Sequence, residues 1–255
     1  FKGSIERNEI ITFKNSFHGR TLATLAAASN SLHTEGFNPI PDGFVNIPLD
    51  ENILKKTISD KTAGILIEPV QGEGGINPVS NEFLVFIRKL CDENKILMIL
   101  DQVQCGMGRT GKLFSHEWSG IEPDIVTLAK GLGAGFPIGA VLASEEASKG
   151  MQQGSHGSTF GGNPVGCSIA LKVIELIEKE EILNNVTRLS GILICELEKL
   201  VEKHHNKISG VRGKGLIIGV ECIEKNSVIT DLAFQNGLLL VNAANNVIRF
   251  LPPLN

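Results

Sequence analysis

Ile96-Leu97-Met98-Ile99-Leu100-Asp101 and Asp124-Ile125-Val126-Thr127-Leu128-Ala129-Lys130 decide how this chain folds. Each is a short, continuous apolar run that ends on a charged residue. Runs of this kind, without polar alternation, read as strands covered on both faces, as in a parallel α/β sheet. In such sheets ligands sit just beyond the carboxyl ends of the strands. The two runs therefore present a carboxylate, Asp101, and an amine, Lys130, where a ligand is expected.

Similar patterns extend outward on both sides. Glu9 to Phe17 is a strand candidate, and the alanine-rich Thr21 to Ser29 reads as a helix. Ala63 to Ile67 is a short buried strand ending at Glu68-Pro69. Asn81 to Asn94 has helical periodicity, with Phe83, Leu84, Phe86, Ile87 and Leu90 as its apolar stripe. Gly139 to Ala143 is a further strand. This order predicts a mostly parallel sheet with right-handed crossovers. After Asn163-Pro164 the texture changes. Val165 to Glu181 and Asn184 to His205 read as long helices, and Leu216 to Glu221 and Gly237 to Val241 as strands. The expected organisation is a large domain over 1–180 and a smaller α+β domain over 181–255.

Composition narrows the function classes. The chain has 255 residues, 42% hydrophobic and 20% charged, with a formal net charge of -4. That is an ordinary globular composition, with no electrostatic reason to expect nucleic acid or an anionic membrane. No apolar stretch approaches the roughly 18–20 residues that cross a bilayer. Phe1 to Arg7 lacks the apolar core of a signal peptide. Five cysteines, scattered and without a C-x-x-C pair, point to a reduced cytosolic protein. The 28 glycines cluster at 72–75, 106–111, 131–139 and 157–162, and read as loops that approach a ligand closely. There is no initiator Met, and the chain stops after Val247 to Asn255 without a capping helix. It reads as an internal piece of a longer protein.

An acid and a lysine at two strand ends match the needs of pyridoxal phosphate, with Lys130 as the Schiff-base amine and Asp101 facing the ring nitrogen. A lysine in a partly apolar site gives up its proton more easily than a solvated one. Gln104, three residues beyond Asp101 and taken to follow it on an extended segment, would bond a ring oxygen, and Val103 would pack on the ring face. Phe17, beside His18, offers an aromatic wall. Ser158 and Thr159, in a Gly/Ser-rich loop, offer hydroxyls and backbone N–H groups for a phosphate. Arg249 suits bidentate carboxylate binding. Each residue also has a commoner fate: solvated lysine, capping Asp, core Phe, plain turn, surface ion pair. Other chemistries are poorly served. Gly131, Gly133 and Gly135 fail the dinucleotide spacing at Phe136. The six histidines show no ligand spacing for a metal, and no G-x-S-x-G elbow is present.

Taken together, five blocks resemble the class III (subgroup II) pyridoxal-phosphate aminotransferases. They are Ser16-Phe17-His18-Gly19-Arg20-Thr21, Glu68-Pro69-Val70-Gln71-Gly72-Glu73-Gly74-Gly75, Asp101-Gln102-Val103-Gln104, Leu128-Ala129-Lys130-Gly131, and His156-Gly157-Ser158-Thr159-Phe160-Gly161-Gly162-Asn163-Pro164. The resemblance implies the type I fold of that family, with both domains incomplete. The segments around Gly106-Met107-Gly108-Arg109-Thr110-Gly111, Arg212-Gly213-Lys214-Gly215 and Arg249-Phe250-Leu251-Pro252-Pro253 are most like the branch of the family in arginine biosynthesis. That branch moves the δ-amino group of N2-acetylornithine to 2-oxoglutarate. Ornithine, succinylornithine and 4-aminobutyrate stay open as donors, and so does an inactive truncated fragment.

By resemblance, Lys130 and Asp101 are the catalytic pair, and Phe17, His18, Val103 and Gln104 join them around the cofactor ring. Thr159, with Ser158, would reach the phosphate held by the partner subunit of a homodimer. Arg249 would hold the α-carboxylate of 2-oxoglutarate or glutamate, and Glu73 would pair with Arg249 while the donor is bound. Gln102 stands where the family usually has Glu, which implies weaker tuning of the ring site. The family's N-terminal phosphate-binding segment and the end of its small domain lie outside these 255 residues.

Overall fold

The computed structural model describes residues 6–28, 31–179 and 181–255, without the side chains of Ser31 and Leu32. Residues 1–5 of the N-terminal stretch, Ser29 at the expected helix end and the expected boundary at residue 180 lie outside the described residues.

A six-stranded sheet forms the larger layer, in the order β2-β1-β3-β6-β7-β8. Its strands are β1 (Glu9–Phe13), β2 (Phe44–Ile47), β3 (Thr62–Ile67), β6 (Leu97–Asp101), β7 (Ile125–Leu128) and β8 (Ala140–Ala143). The first five run parallel, and β8 pairs antiparallel with β7. Ile11, Phe13, Ile65, Ile67, Met98 and Leu100 are fully buried here, as unbroken apolar runs require. Helices α1 (Leu22–Ala28), α2 (Ser31–Thr34) and α3 (Glu51–Thr57) lie in the connections at one edge. A short hairpin of β4 (Val70–Gln71) and β5 (Asn77–Pro78) precedes helix α4 (Asn81–Asn94).

The span of α4 follows from its local chemistry. Ser80 caps it, its Oγ accepting from the Phe83 N–H at 3.1 Å, a bond worth about 1 kcal/mol. Leu84, Ile87 and Leu90 are buried on its inner face, each contributing about 1.5–3 kcal/mol. Lys95 ends the helix in the left-handed conformation.

Beyond β8, α5 (Glu145–Ser148) is a single turn, and α6 (Pro164–Lys179) packs Ala170 and Ile177 into the core of the large sheet. Helix α7 (Ile182–Lys203) places Leu197 against Ile218 and Val220 of a second sheet. That sheet is antiparallel, ordered β11-β12-β10-β9. It holds β9 (Ile208–Lys214), β10 (Ile217–Cys222), β11 (Val241–Ala243) and β12 (Val247–Phe250), with α8 (Asn226–Gln235) between β10 and β11. A third buried cluster, Val70, Ile76, Cys105, Ile217 and Val247, packs the β4–β5 hairpin and the loop after β6 against the second sheet.

Several expected elements are corrected. The strand from Glu9 stops at Phe13, because Asn15 takes a left-handed turn. The strand expected over Gly237 to Val241 begins only at Val241, because Gly237, at φ 80°, belongs to the turn that ends α8. β9 and β12 escaped the sequence reading: Gly210, Arg212 and Gly213 break the pattern of one, and Arg249 that of the other. Among the described residues no helix is long and apolar enough to cross a membrane.

Candidate active site

β6 and β7 bring the first pole together. Asp101 pairs in register with Thr127. Its Oδ1 accepts from the Val103 N–H at 3.1 Å and from Thr127 Oγ1 at 3.2 Å, and its Oδ2 is 2.9 Å from His18 Nδ1. The His18 ring is buried, and its Nε2 has no hydrogen-bond partner among the described residues. Asp101 is thus a nearly buried carboxylate held by three donors on three segments. The chain turns after Asp101, so Gln104 does not follow it on an extended segment as the sequence suggested.

Lys130 follows β7 and opens a tight turn over Lys130–Gly133. Its φ is 43°, a conformation that costs a residue with a side chain about 1–2 kcal/mol. Lys130 is exposed and is not in the partly apolar surroundings expected for it. Its charge lies close enough to act on both Glu68 and Glu73, opposing the raised pKa of the first and adding to the lowered pKa of the second.

Glu68 is the residue that sequence reasoning quoted without a role. It directly follows β3, as Asp101 closes β6, and the same strand-end rule could have found it. Its buried carboxyl group accepts from the Phe17 N–H at 2.9 Å and from the backbone of Gly72. Burial, and next the charge of Asp101, push its pKa well above the ordinary carboxylate value.

The second pole is a carboxylate–guanidinium pair. Glu73 Oε1 is 2.6 Å from Arg249 Nη1. Gln104 lies against both, its Nε2 donating to Glu73 Oε1 and its Oε1 accepting from Arg249 Nη1, each at 3.1 Å. Gly72 makes room for this contact, since a Cβ there would lie 1.7 Å from Gln104 Oε1. Burial alone would raise the pKa of Glu73. The hydrogen bond and charge of Arg249, with Gln104 and Lys130, bring it below its ordinary value.

The second sheet aims Arg249. Gly219 of β10 stands opposite Arg249 on one side and Arg212 on the other. Ile76 packs onto Gly219, where a Cβ would meet it at 2.9 Å. Arg212 Nε donates to the carbonyls of Gly75 and Ile76, both at 2.9 Å, and so grips the turn that carries Glu73. Ile76 has φ 55°, strain placed next to the pair. A cavity of 840 Å³ opens beside it, lined by Phe17, Arg20, Asn46, Glu73, Asn242 and Ala243 among others. The Arg20 guanidinium lies 5.2 Å from the Phe17 ring centroid.

Two sequence-selected residues stay apart from this group. Ser158 and Thr159 are exposed, and Ser158 lines a separate, mostly apolar cavity of 690 Å³ with Phe160, Leu132 and Ile174. Gln102 also points elsewhere. Its Oε1 accepts from the Ser115 N–H, and its Nε2 meets His116 Nδ1, both at 2.6 Å. Its amide supports the 115–119 turn, so the missing charge at this position does not touch Asp101 through a hydrogen bond.

The donor set fits a pyridine-aldehyde cofactor. A carboxylate has about four acceptor sites, so Asp101 keeps capacity for a ring N–H. The Lys130 amine is accessible to an aldehyde. The Gln104 amide keeps one N–H for a ring oxygen, and Phe17 and Val103 are half-buried beside Asp101 and His18. The phosphate end finds no comparable cradle in this group.

Comparison with known proteins agrees with this chemistry. The chain is 47% identical to acetylornithine aminotransferase of Brucella melitensis over 99% of its own length and 63% of the relative's. It therefore spans a little under two thirds of the curated relative. A solved ornithine aminotransferase of Toxoplasma gondii, described with pyridoxal phosphate at partial occupancy in its active site, superposes with a TM-score of 0.93 at 31% identity. That match covers 96% of this chain and 59% of the other. N-acetylornithine aminotransferase of Stenotrophomonas maltophilia matches with a TM-score of 0.81 at 36% identity, over 99% and 62% of the two chains. The family model for class-III aminotransferases matches residues 1–255, and the chain belongs to that family.

Proposed function

We propose that this chain is part of an enzyme that transfers the δ-amino group of N2-acetylornithine to 2-oxoglutarate. The products are N-acetylglutamate 5-semialdehyde and glutamate, a step of arginine biosynthesis. The observation that carries the reading is the Glu73–Arg249 pair at 2.6 Å, beside the Asp101 and Lys130 pole. The names of relatives at 45–49% identity support this choice of donor.

Pyridoxal phosphate, when bound, supplies an aldehyde that carries the amino group and a ring that withdraws electrons. Asp101 would hold the proton of the ring nitrogen, while His18, Thr127 and the Val103 N–H fix its carboxylate in place. Lys130 moves a proton at the reacting carbon. Phe17 and Val103 bound the ring, and Gln104 reaches its hydroxyl. Ser158 and Thr159 serve the phosphate of the partner subunit in a homodimer, which agrees with their exposure here.

The pair at Arg249 lets one site take two unlike substrates. 2-Oxoglutarate carries a carboxylate next to its reacting carbon, and that carboxylate takes Arg249. Acetylornithine carries a methylene there, and Glu73 then neutralises Arg249. The five free cysteines agree with a reduced cytosolic setting. Steady-state kinetics of the complete protein with acetylornithine, ornithine, succinylornithine and 4-aminobutyrate tests the assignment. The highest kcat/KM is expected for acetylornithine, and a higher value for any other donor would overturn it.

A further inference from the structure

We propose that Gln104 is a positioning residue of the substrate switch: it holds Glu73 when Glu73 yields Arg249 to a substrate carboxylate. The inference rests on the Glu73–Arg249 reading above and adds the part that makes the exchange inexpensive.

The amide can sit only one way round. Its oxygen faces a guanidinium and its nitrogen faces a carboxylate; the flipped amide would set donor against donor and acceptor against acceptor. Glu73 Oε1 therefore receives two donors at once, Arg249 at 2.6 Å and Gln104 at 3.1 Å. The Arg249 side chain is only 8% exposed, so it needs a carboxylate partner at every stage, either Glu73 or substrate. When substrate takes Arg249, Glu73 loses its stronger donor and keeps the weaker one. Without Gln104, the half-buried carboxylate would be left to water alone. In the closed state Gln104 shares the Glu73 oxygen with Arg249; in the open state it is the donor of the pair that stays, and its bond to the now uncompensated carboxylate strengthens. Gly72 is part of the device, because any side chain there would occupy the position of the amide oxygen.

The test is a double-mutant cycle read by calorimetry on the complete, cofactor-loaded protein. The probe is glutarate, which matches 2-oxoglutarate without its keto group and does not react. Gln104→Met keeps the length and removes both hydrogen bonds. The bond exists in both states, so only its strengthening counts: from an ordinary hydrogen bond to one on an uncompensated, 35% exposed carboxylate, a change that should make glutarate bind about fivefold more weakly in the variant. In a Glu73→Ala background there is no carboxylate to hold, and the same substitution should change binding by about twofold or less. Gly72→Ala, which displaces the amide without altering it, should reproduce the fivefold loss if Gln104→Met does not fold. Equal losses with and without Glu73 would overturn the proposal and leave Gln104 acting on the cofactor or the fold. If glutarate bound Arg249→Ala as well as wild type, the carboxylate site itself would be wrong, and both readings would fall.

Discussion

Asp101 and Glu73 are carboxylates of one site, yet they are held in different ways. Asp101 takes its donors from Val103, Thr127 and His18, all on the large sheet or the loops at its edge. Glu73 takes its ion-pair partner from Arg249, 176 residues away, on a strand of the second sheet. The first carboxylate is nearly buried, with three partners on its two oxygens. The second is a third exposed, with two donors sharing one oxygen. Three donors spread over two oxygens suit a group that must stay in one place through a whole cycle. A shared oxygen suits a group that must change partners.

The largest effect should follow from Lys130→Ala. Loss of the amine removes both the attachment point and the proton carrier, and turnover should fall by at least about 10⁴-fold. A smaller loss would mean that the Asp101 pole works without its lysine. Asp101→Asn keeps the size and most hydrogen bonds but removes the charge opposite the ring nitrogen. Turnover should fall by about 10²–10³-fold, while glutarate affinity at Arg249 stays near wild type. A parallel loss of glutarate affinity would show that the two poles are one unit.

Glu68 lies between the poles, bonded to Phe17 on one side and Gly72 on the other. Its pKa is raised, so the stability it contributes is complete below the ordinary carboxylate pKa and is lost as pH rises through its native value. The pKa of Glu73 is lowered, so its contribution is present above the ordinary value and is lost as pH falls through its native one. Melting temperature against pH should decline at both ends. Glu68→Gln, which keeps an oxygen for the Phe17 N–H, should flatten the alkaline limb alone. An unchanged alkaline limb would remove Glu68 from this account.

Gln102→Glu should do least. Gln102 donates to His116 Nδ1, which places the imidazole proton on Nε2. Burial lowers the pKa of His116. A carboxylate at position 102 should raise it and move the proton to Nδ1, a change visible by NMR. Turnover should barely move, because the amide does not bond Asp101. A large loss of turnover would mean that the charge at position 102 reaches the ring site through space.

The same contrast explains what could be read from residues alone. The Asp101 pole was legible because a short apolar run that ends on a charged residue has one reading, a buried strand with its tip at a ligand. Glu68 obeys the same rule and was passed over only because no chemistry asked for it. The Glu73 pole carried no local sign. Arg249 interrupts β12, Gly213 breaks β9, and nothing in either strand announces that Gly219 sets two arginines side by side across β10. Its pairing came from resemblance, and its geometry from the meeting of two sheets. The helix Asn81–Asn94 is legible from its apolar stripe because that stripe is a local signal, and the Ser80 cap found in the structure is local too.

The most direct test of the account is to load the complete protein with pyridoxal phosphate, reduce it with borohydride and map the modified peptide. The account predicts a single label on Lys130. A label on another lysine, or none, would contradict it.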